Sequence, residues 1–189
     1  MSFELRLAGA GRSAQVRDIG RVLVAHLDET DTLHAWAAAL ADGAIDLSLG
    51  GHLTGSIDLI MRVRDPRGED RFIVADYKTN QLTPWGRAPG PGDYHPNRLA
   101  VAMAQHDYPL QALLYSVALH RYLRWRVPHY QPGTHLGGAC YLFLRGMTGP
   151  QVEVSDGQPH GVFGWPVPPA LVTELSDLLD GRLAVGSPR

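Results

Sequence analysis

The chain has 189 residues, of which 44% are hydrophobic and 19% charged, and these proportions are typical of a single globular domain with a sizeable core. Its one cysteine, Cys140, excludes a disulfide framework and argues against an iron–sulfur cluster, while no apolar run approaches the roughly 18 residues of a membrane helix. The formal charge of −2 lacks the basic excess of a protein that captures nucleic acid alone. We expect a soluble, cytoplasmic protein with no membrane role.

The N-terminal part of the chain has helical patterns. Residues 13–27 and 31–41 are predicted to be helices, the second with an Asp/Thr cap and with Gly43 as its stop. Residues 1–11 and 183–189 lack strong periodicity, so we expect both ends to fray.

A β-hairpin is predicted in the next part of the chain. Residues 55–63 alternate in polarity as one strand does, with Asp58 opposite the apolar face. The sequence Asp-Pro-Arg-Gly at 65–68 suits a tight turn, so this strand should pair antiparallel with the one that follows. Residues 72–75 are all apolar, which predicts a strand buried on both faces, as in an α/β sheet. The hairpin can bring Asp58 close to Asp76.

Lys78 is the only lysine among seventeen basic residues. Arginine fills every other role that needs a permanent positive charge, so this position is predicted to need a compact ammonium that can lose its proton. Residues two apart on a strand lie on the same face, so Asp76 and Lys78 should point together. A structural ion pair at a strand end is the alternative interpretation.

Two carboxylates at the end of the hairpin predict a cation site. Asp58 and Asp76 about 4 Å apart would repel by roughly 4 kcal/mol at an effective dielectric constant near 20, so they should bind a cation or share a proton. Oxygen ligands without a nearby cysteine favour magnesium or manganese over zinc. Such an ion beside Lys78 suits phosphodiester hydrolysis.

A long loop and three helices complete the predicted elements. Residues 82–97 contain four prolines and three glycines, too many for regular structure. Helices are predicted at 97–105, from Pro109 onward, and at 168–181. Gln111 and Tyr115 are four residues apart and therefore share one helix face, where they could reach a phosphate or could simply be solvated.

Several ordered blocks resemble one known family, the C-terminal nuclease domain of bacterial RecB, the exodeoxyribonuclease V beta subunit, in the PD-(D/E)xK restriction-endonuclease-like superfamily. The blocks are Gly55-x-x-Asp58, Asp76-Tyr77-Lys78-Thr79-Asn80, Tyr108-Pro109-Leu110-Gln111-x-x-x-Tyr115, Leu119-His120-Arg121-Tyr122-Leu123 and Gly137-Gly138-x-x-Tyr141-Leu142-Phe143-Leu144-Arg145-Gly146. The resemblance divides the chain into an N-terminal helical part (1–50) that matches weakly, a RecB-like nuclease core (51–182) and a tail (183–189).

The resemblance implies a fold and a set of site residues. The fold is α/β, with a restriction-endonuclease-like mixed central sheet flanked by helices. Mg²⁺ would be the cofactor, with Mn²⁺ as an alternative and Ca²⁺ as an inhibitor. The implied metal ligands are Asp58, Asp76 and the backbone carbonyl of Tyr77. Asp58 and Asp76 also count among the catalytic residues, with Lys78 as the catalytic lysine and Gln111 and Tyr115 as catalytic motif residues near the phosphate.

One metal ligand implied by the resemblance has no counterpart. The family places a histidine on a helix well upstream of the Gly-x-x-Asp strand, whereas only 57 residues precede Asp58. His26, His34 and His52 lie in that part, but none has the expected sequence context. The chain is therefore expected to be a fragment that lacks this ligand and has reduced activity alone.

The resemblance also implies a biological setting. The module would act as an exonuclease on unwound double-stranded DNA, as single strands, during double-strand-break repair and recombination. Its partners would be the RecC and RecD subunits, RecA, and helicase domains of the parent chain, because this sequence has no phosphate-binding Gly-x-x-x-x-Gly-Lys-Ser/Thr motif of its own. The loop at 82–97 is expected to border the active site and to order on DNA, with Trp85 and Tyr94 as stacking residues; an uninvolved disordered insertion is the alternative.

Two other functions stay open. The first is a nuclease fold that serves as a protein-docking module, contacting RecC or RecA, with little activity of its own. The second is a stand-alone structure-specific nuclease such as a junction resolvase, which would need a dimer interface and a basic groove.

Overall fold

The computed structural model describes residues 1–7 and 14–183. Its strands are β1 (Ser2–Arg6), β2 (Ala14–Gln15), β3 (Ser48–Leu49), β4 (His52–Ser56), β5 (Leu59–Arg64), β6 (Asp70–Lys78), β7 (Leu136–Phe143), β8 (Val154–Ser155), β9 (Gln158–Pro159) and β10 (Val162–Trp165). Its α-helices are α1 (Val16–His26), α2 (His34–Ala41), α3 (Pro96–Gln105), α4 (Tyr108–Arg126), α5 (Pro132–His135) and α6 (Pro169–Leu179). None of the described helices combines the length and apolarity needed to cross a bilayer.

The central sheet has four strands in the order β10-β7-β6-β5. β6 pairs antiparallel with β5 and parallel with β7, and β10 pairs antiparallel with β7. Helix α4 packs on β6 and β7, α3 packs near β10, and α6 contacts both α1 and α4. This mixed sheet flanked by helices confirms the predicted fold class.

The β5–β6 hairpin confirms the predicted antiparallel pairing. The turn closes when the Gly68 N–H donates to the Asp65 carbonyl at 2.9 Å, and Gly68 has a φ of +85°, which glycine adopts without steric cost. Burial on both faces holds only for Val74 to Asp76, because Phe72 and Ile73 are half-buried. The buried end of β6 is therefore the end that carries Asp76.

The predicted single strand at 55–63 is wrong in one respect, because the chain bends at Ile57 and Asp58 between two strands. β4 before the bend pairs with β1, and β5 after it pairs with β6. Ile57 is buried at the bend, and its N–H donates to the Met1 carbonyl at 2.8 Å. The alternation of polarity continues across the bend, so the pattern alone could not reveal it.

The expectation that residues 1–11 fray is also wrong for their first part. Residues 2–6 form β1, which pairs with β4 in the register Phe3 to Gly55. A strand with a partner about fifty residues away has no local signal in a sequence pattern. Residues 8–11, and residues 184–189 of the predicted tail, lie outside the described residues.

The helices agree with the predictions except at their starts. α1 begins at Val16 rather than residue 13, which lies outside the described residues. α2 begins at His34 because Asp31 forms a turn first, with its carboxylate accepting from the Leu33 N–H at 2.8 Å. The predicted stop at Gly43 has a φ of +91°, and the last helix ends before Gly181 as expected.

Candidate active site

The end of β6 places two of the predicted site residues in direct contact. Lys78 Nζ lies 2.7 Å from Asp76 Oδ2, and the exposed fractions of their side chains are 11% and 6%. The prediction that the two side chains share one face of the strand is confirmed. Burying an ion pair this deeply costs desolvation free energy that a surface pair does not lose. Because that cost offsets the stability that the pair contributes, a purely structural role explains the pair less well than a functional one.

Asp58 reaches the same place from the bend between β4 and β5. Its Oδ2 accepts a hydrogen bond from the Tyr77 N–H at 3.3 Å, which fixes the carboxylate beside the end of β6. Asp58 is exposed whereas Asp76 is 4% exposed, so the pair has one solvent-facing and one buried member. The predicted proximity of Asp58 and Asp76 is confirmed.

The pKa of Asp76 is raised above its ordinary value. Burial is the largest cause, the Lys78 ammonium opposes it, and the neighbouring charge of Asp58 raises the pKa again. One ammonium therefore does not fully compensate two adjacent carboxylates. A site with surplus negative charge at a buried carboxylate favours binding a further cation.

The Lys78 ammonium is enclosed by α4 and by aromatic rings. It donates to Gln111 Oε1 at 2.9 Å and lies 3.8 Å from the centre of the Tyr108 ring and 5.2 Å from that of Tyr141. Both rings offer the electron-rich face that attracts a cation. This enclosure suits a compact ammonium, in agreement with the only lysine occupying this position.

Gln111 and Tyr115 are joined on one face of α4, as predicted from their spacing. Gln111 Nε2 donates to the Tyr115 hydroxyl at 2.9 Å, and both residues are half-buried. Both lie beside Asp58, Asp76 and Lys78, the group of predicted catalytic residues that we call the catalytic cluster. The pKa of Tyr115 is raised, first by burial and then by the charges of Asp76 and Asp58. The Tyr115 hydroxyl therefore stays protonated and can donate a hydrogen bond.

Two tyrosines that sequence reasoning gave no role complete this network. Tyr141, on β7 beside Asp76, is buried, and its hydroxyl lies 3.1 Å from both Gln111 Oε1 and the Tyr108 carbonyl oxygen, which share its one proton. Burial raises the pKa of Tyr141 far above its ordinary value, so the hydroxyl stays protonated and able to donate. The Tyr108 hydroxyl in turn donates to Asn80 Oδ1 at 3.1 Å. The available signal was their presence in the family blocks.

Two of the three upstream histidines, His26 and His52, face carboxylates other than Asp58 and Asp76, and His34 is the first residue of α2. His26 Nε2 is 2.6 Å from Glu174 Oε2, on α6, and His52 Nε2 is 3.7 Å from Glu4 Oε1, on β1. Across residues 1–7 and 14–183, no group of three His, Cys, Asp or Glu side chains could hold a metal ion. The metal-binding role of Asp58, Asp76 and the Tyr77 carbonyl therefore stays a prediction.

The loop at 82–97 differs from its prediction at Tyr94. Tyr94 is 1% exposed, and its hydroxyl donates to the Asn80 carbonyl at 3.0 Å, so it is a core residue and its predicted stacking role is wrong. Trp85 is fully exposed, and its stacking role stays a prediction. The segment is irregular, as expected, apart from one turn of 3₁₀ helix at Pro91–Tyr94 and its last two residues, which begin α3.

Comparison with known proteins identifies the family of this site. Residues 4–179 match the model of the PD-(D/E)XK nuclease superfamily. The chain is 46% identical over 187 residues to the RecBCD enzyme subunit RecB of Mycolicibacterium smegmatis, 48% identical over 190 residues to that of Mycobacterium tuberculosis, and 43% identical over 101 residues to that of Escherichia coli.

These matches cover 96%, 97% and 53% of this chain but only 17%, 16% and 8% of the relatives. The chain thus spans less than a fifth of the length of the RecB subunits that it matches. The resemblance to the RecB nuclease domain is confirmed, and the chain belongs to the PD-(D/E)XK nuclease superfamily.

Proposed function

We propose that this chain is the nuclease module of a RecB-like helicase–nuclease and hydrolyses DNA phosphodiesters with Mg²⁺. The observation that carries this proposal is the buried Asp76–Lys78 ion pair at the end of β6, with the Asp58 carboxylate beside it. The two carboxylates suit a divalent cation, and that cation together with the Lys78 ammonium would stabilise the negative charge that develops at a phosphate in its transition state.

The residues present fit a hard divalent cation. Magnesium typically takes one or two carboxylates and keeps several waters, which agrees with a site of two carboxylates and one backbone carbonyl. Asp58, Asp76 and the Tyr77 carbonyl would hold the ion, which when bound would polarise the scissile phosphate and lower the pKa of a water molecule.

The other residues of the cluster have separate tasks. Lys78 would orient the attacking water or neutralise charge at the phosphate, and Gln111 would hold the Lys78 ammonium in place through its amide oxygen. Tyr115 accepts from the Gln111 amide, which leaves its own O–H free to donate to a phosphate oxygen. Tyr141 would be a positioning residue because it touches Gln111 rather than the substrate.

The substrate we propose is single-stranded DNA that helicase domains of a longer parent chain unwind from a duplex. A net charge of −2 gives this chain little general attraction for DNA, so delivery by partners is consistent with it. The relatives' name, RecBCD enzyme subunit RecB, supports RecC and RecD as the proposed partners. RecA as a further partner, the cytoplasm and double-strand-break repair are part of the same proposal and rest on the family resemblance.

The test is degradation of end-labelled single-stranded DNA by this chain in Mg²⁺ or Mn²⁺. Asp76→Asn should abolish cleavage, because it removes a ligand charge without changing the side-chain shape. Asp70→Asn is the matched control, since Asp70 lies at the other end of β6 and pairs with Arg62 and Arg64 at 3.7 Å. Equal cleavage by wild type and Asp76→Asn would contradict the proposal.

A second candidate is a nuclease fold that serves to dock RecC or RecA. The observation that favours it is that, among the described residues, no third His, Cys, Asp or Glu side chain joins Asp58 and Asp76 in a metal-binding group. Failure of the wild type to cleave in either metal, together with Mg²⁺-independent binding to such a partner, would favour docking.

A further inference from the structure

A cavity of about 350 Å³ lies directly beside the catalytic cluster, between the β1–β4 ribbon and the start of α4. Gln111 and Tyr115 line it, so the cavity and the catalytic cluster share two residues. Its volume falls in the range of about 300–1,000 Å³ that is usual for small-molecule sites. We call this cavity the base slot; its other principal lining residues are Phe3, Leu53, Leu110 and Leu114.

The wall that Phe3 provides is fixed by two contacts. A Cβ atom on Gly55 would lie 2.5 Å from the Phe3 ring, so only glycine lets the ring lie across β4 at this point. On its other side, the Phe3 ring meets the Tyr115 ring edge to face, with 5.8 Å between centroids. The glycine of the Gly-x-x-Asp block therefore shapes the slot as well as preceding Asp58.

The charge of the slot selects against a phosphate group. Its lining is mostly aliphatic and aromatic, and the one charged residue is the acidic Asp107. Asp107 has a φ of +52° in the short connection between α3 and α4, and its Oδ1 accepts from Trp36 Nε1 at 2.9 Å, which holds the carboxylate in place. An anion would meet repulsion there, whereas a neutral planar group would meet rings, methyl groups and one hydrogen-bond acceptor.

We propose that the base slot binds a nucleobase of the strand that is being cut, next to the phosphate held at Asp58 and Asp76. This inference rests on the proposed nuclease function and adds a substrate contact to it. A strand that places its phosphate near Tyr115 brings an adjacent base to the opposite side of the same tyrosine. Every base has an apolar face, so the slot grips a single strand without selecting its sequence.

The proposal also gives a reason for a preference for single strands. A base that enters the slot must leave its own stack, which costs free energy in a duplex and little in a single strand. The slot thus discriminates by the availability of the base rather than by its identity.

The test fills the slot and then removes the base. Leu114→Trp should occupy the slot. Its binding to fluorescent single-stranded oligonucleotides is compared with that of wild type in Ca²⁺, the ion that the family resemblance implies is inhibitory, so that the strand stays intact. We expect affinity to fall by about tenfold, the size of one lost base-stacking contact. Val24→Trp, which adds the same side chain to an exposed position on α1, is the matched control and should bind as wild type does.

A set of oligonucleotides with one abasic site at successive positions separates loss of the base contact from general damage. At one position, replacing the base by an abasic site should lower the affinity of wild type by about tenfold. The same replacement should not lower the affinity of Leu114→Trp, whose slot is already filled. If Leu114→Trp unfolds at a lower temperature than wild type, Leu110→Phe takes its place in the same comparison. Two results would overturn the base slot. In one, the folded variant binds intact and abasic strands more weakly than wild type by the same factor; in the other, it binds both as tightly as wild type does.

The two proposals fail in different ways. If wild type degrades single-stranded DNA and the filled variant binds it normally, the nuclease proposal stands and the base-slot proposal fails. A wild-type chain that neither cuts nor binds single-stranded DNA loses both.

Discussion

Two buried aspartates in different regions of the molecule have opposite surroundings. Asp93, in the loop at 82–97, is 1% exposed and accepts from the Thr83 hydroxyl at 2.8 Å, the Gly90 N–H at 3.0 Å, and the guanidinium groups of Arg87 and Arg98. Its charge is compensated more than once. Asp76 is almost as buried but has one ammonium and a second carboxylate beside it.

This difference separates a structural carboxylate from a functional one. A buried charge with surplus donors organises the chain around itself, and the loop before α3 is folded about Asp93 in this way. A buried carboxylate with too few hydrogen-bond donors and cations around it is stabilised when a further cation binds. Burial alone would have ranked the two residues as equals.

Of the substitutions that test this difference, Asp76→Asn should have the largest effect on cleavage. We expect cleavage to fall by about a thousandfold or more, while the free energy of unfolding changes by less than about 1 kcal/mol, because the substitution also removes repulsion from Asp58. Cleavage assays and chemical denaturation measure the two quantities. A large loss of stability would place Asp76 in the same class as Asp93.

Lys78→Arg should have the next largest effect, lowering cleavage by about a hundredfold or more although the charge is kept. The space between Asp76, Gln111 and the Tyr108 ring fits an ammonium, and a planar guanidinium cannot make the same contacts. The rate of cleavage at saturating DNA is the measurement. Near-normal cleavage would contradict the prediction that position 78 needs a compact ammonium group.

Asp93→Asn should show the reverse profile. It leaves two guanidinium groups without their shared carboxylate, and since both are about half exposed, we expect a loss of about 2–3 kcal/mol in the free energy of unfolding. At a temperature where the variant is folded, Asp58, Asp76 and Lys78 keep their contacts. Chemical denaturation should detect the loss, and unchanged stability would remove the basis for calling Asp93 structural.

Tyr141→Phe should have a smaller effect on cleavage than the substitutions at Asp76 and Lys78. It removes one donor from Gln111, which then holds Lys78 less firmly, so we expect a cleavage rate several times lower and a loss of about 1 kcal/mol in stability. The readout that separates positioning from packing is the ratio of the two effects. A loss of stability with unchanged cleavage would make Tyr141 a packing residue only.

His120 adds a third buried titratable group and gives the smallest effect. Its pKa is lowered, first by burial and then by the charges of Arg124 and Arg121. The unfolded chain therefore binds a proton more readily, so stability is complete above a pH of 6.5 and falls as the pH drops below it. Melting temperatures of wild type and His120→Gln at neutral and mildly acidic pH should show the smaller acid dependence in the variant.

The contacts among the predicted site residues were more predictable than their surroundings. Alternation on β6 placed Asp76 and Lys78 together, and helical spacing placed Gln111 with Tyr115, because both patterns follow from local backbone geometry. The Tyr141 hydroxyl and the Tyr108 ring were missed, since their roles depend on how β7 and α4 pack against β6. Tyr94 was wrongly predicted to stack on DNA for a similar reason, because a breaker-rich segment gives no sign that one of its aromatic residues is buried.

The fold shows the same division between local and distant determinants. The turn at 65–68 and the ends of most helices were predictable from residue types. The bend at Asp58 and the strand β1 were not, because both depend on pairing between segments about fifty residues apart. The Phe3 ring against Gly55, which shapes the base slot, is a product of that same pairing.

The solitary thiol of Cys140 makes the molecule convenient to label. Burial raises the pKa of this thiol, so it reacts slowly with maleimides at neutral pH. Arg67→Cys would introduce a cysteine in the hairpin turn, before Asp70 at the start of β6. Asp70 is eight residues along the strand from Lys78, or roughly 26 Å. A fluorophore attached there could report on the assembly of this chain with larger partners while leaving the catalytic end of the strand untouched.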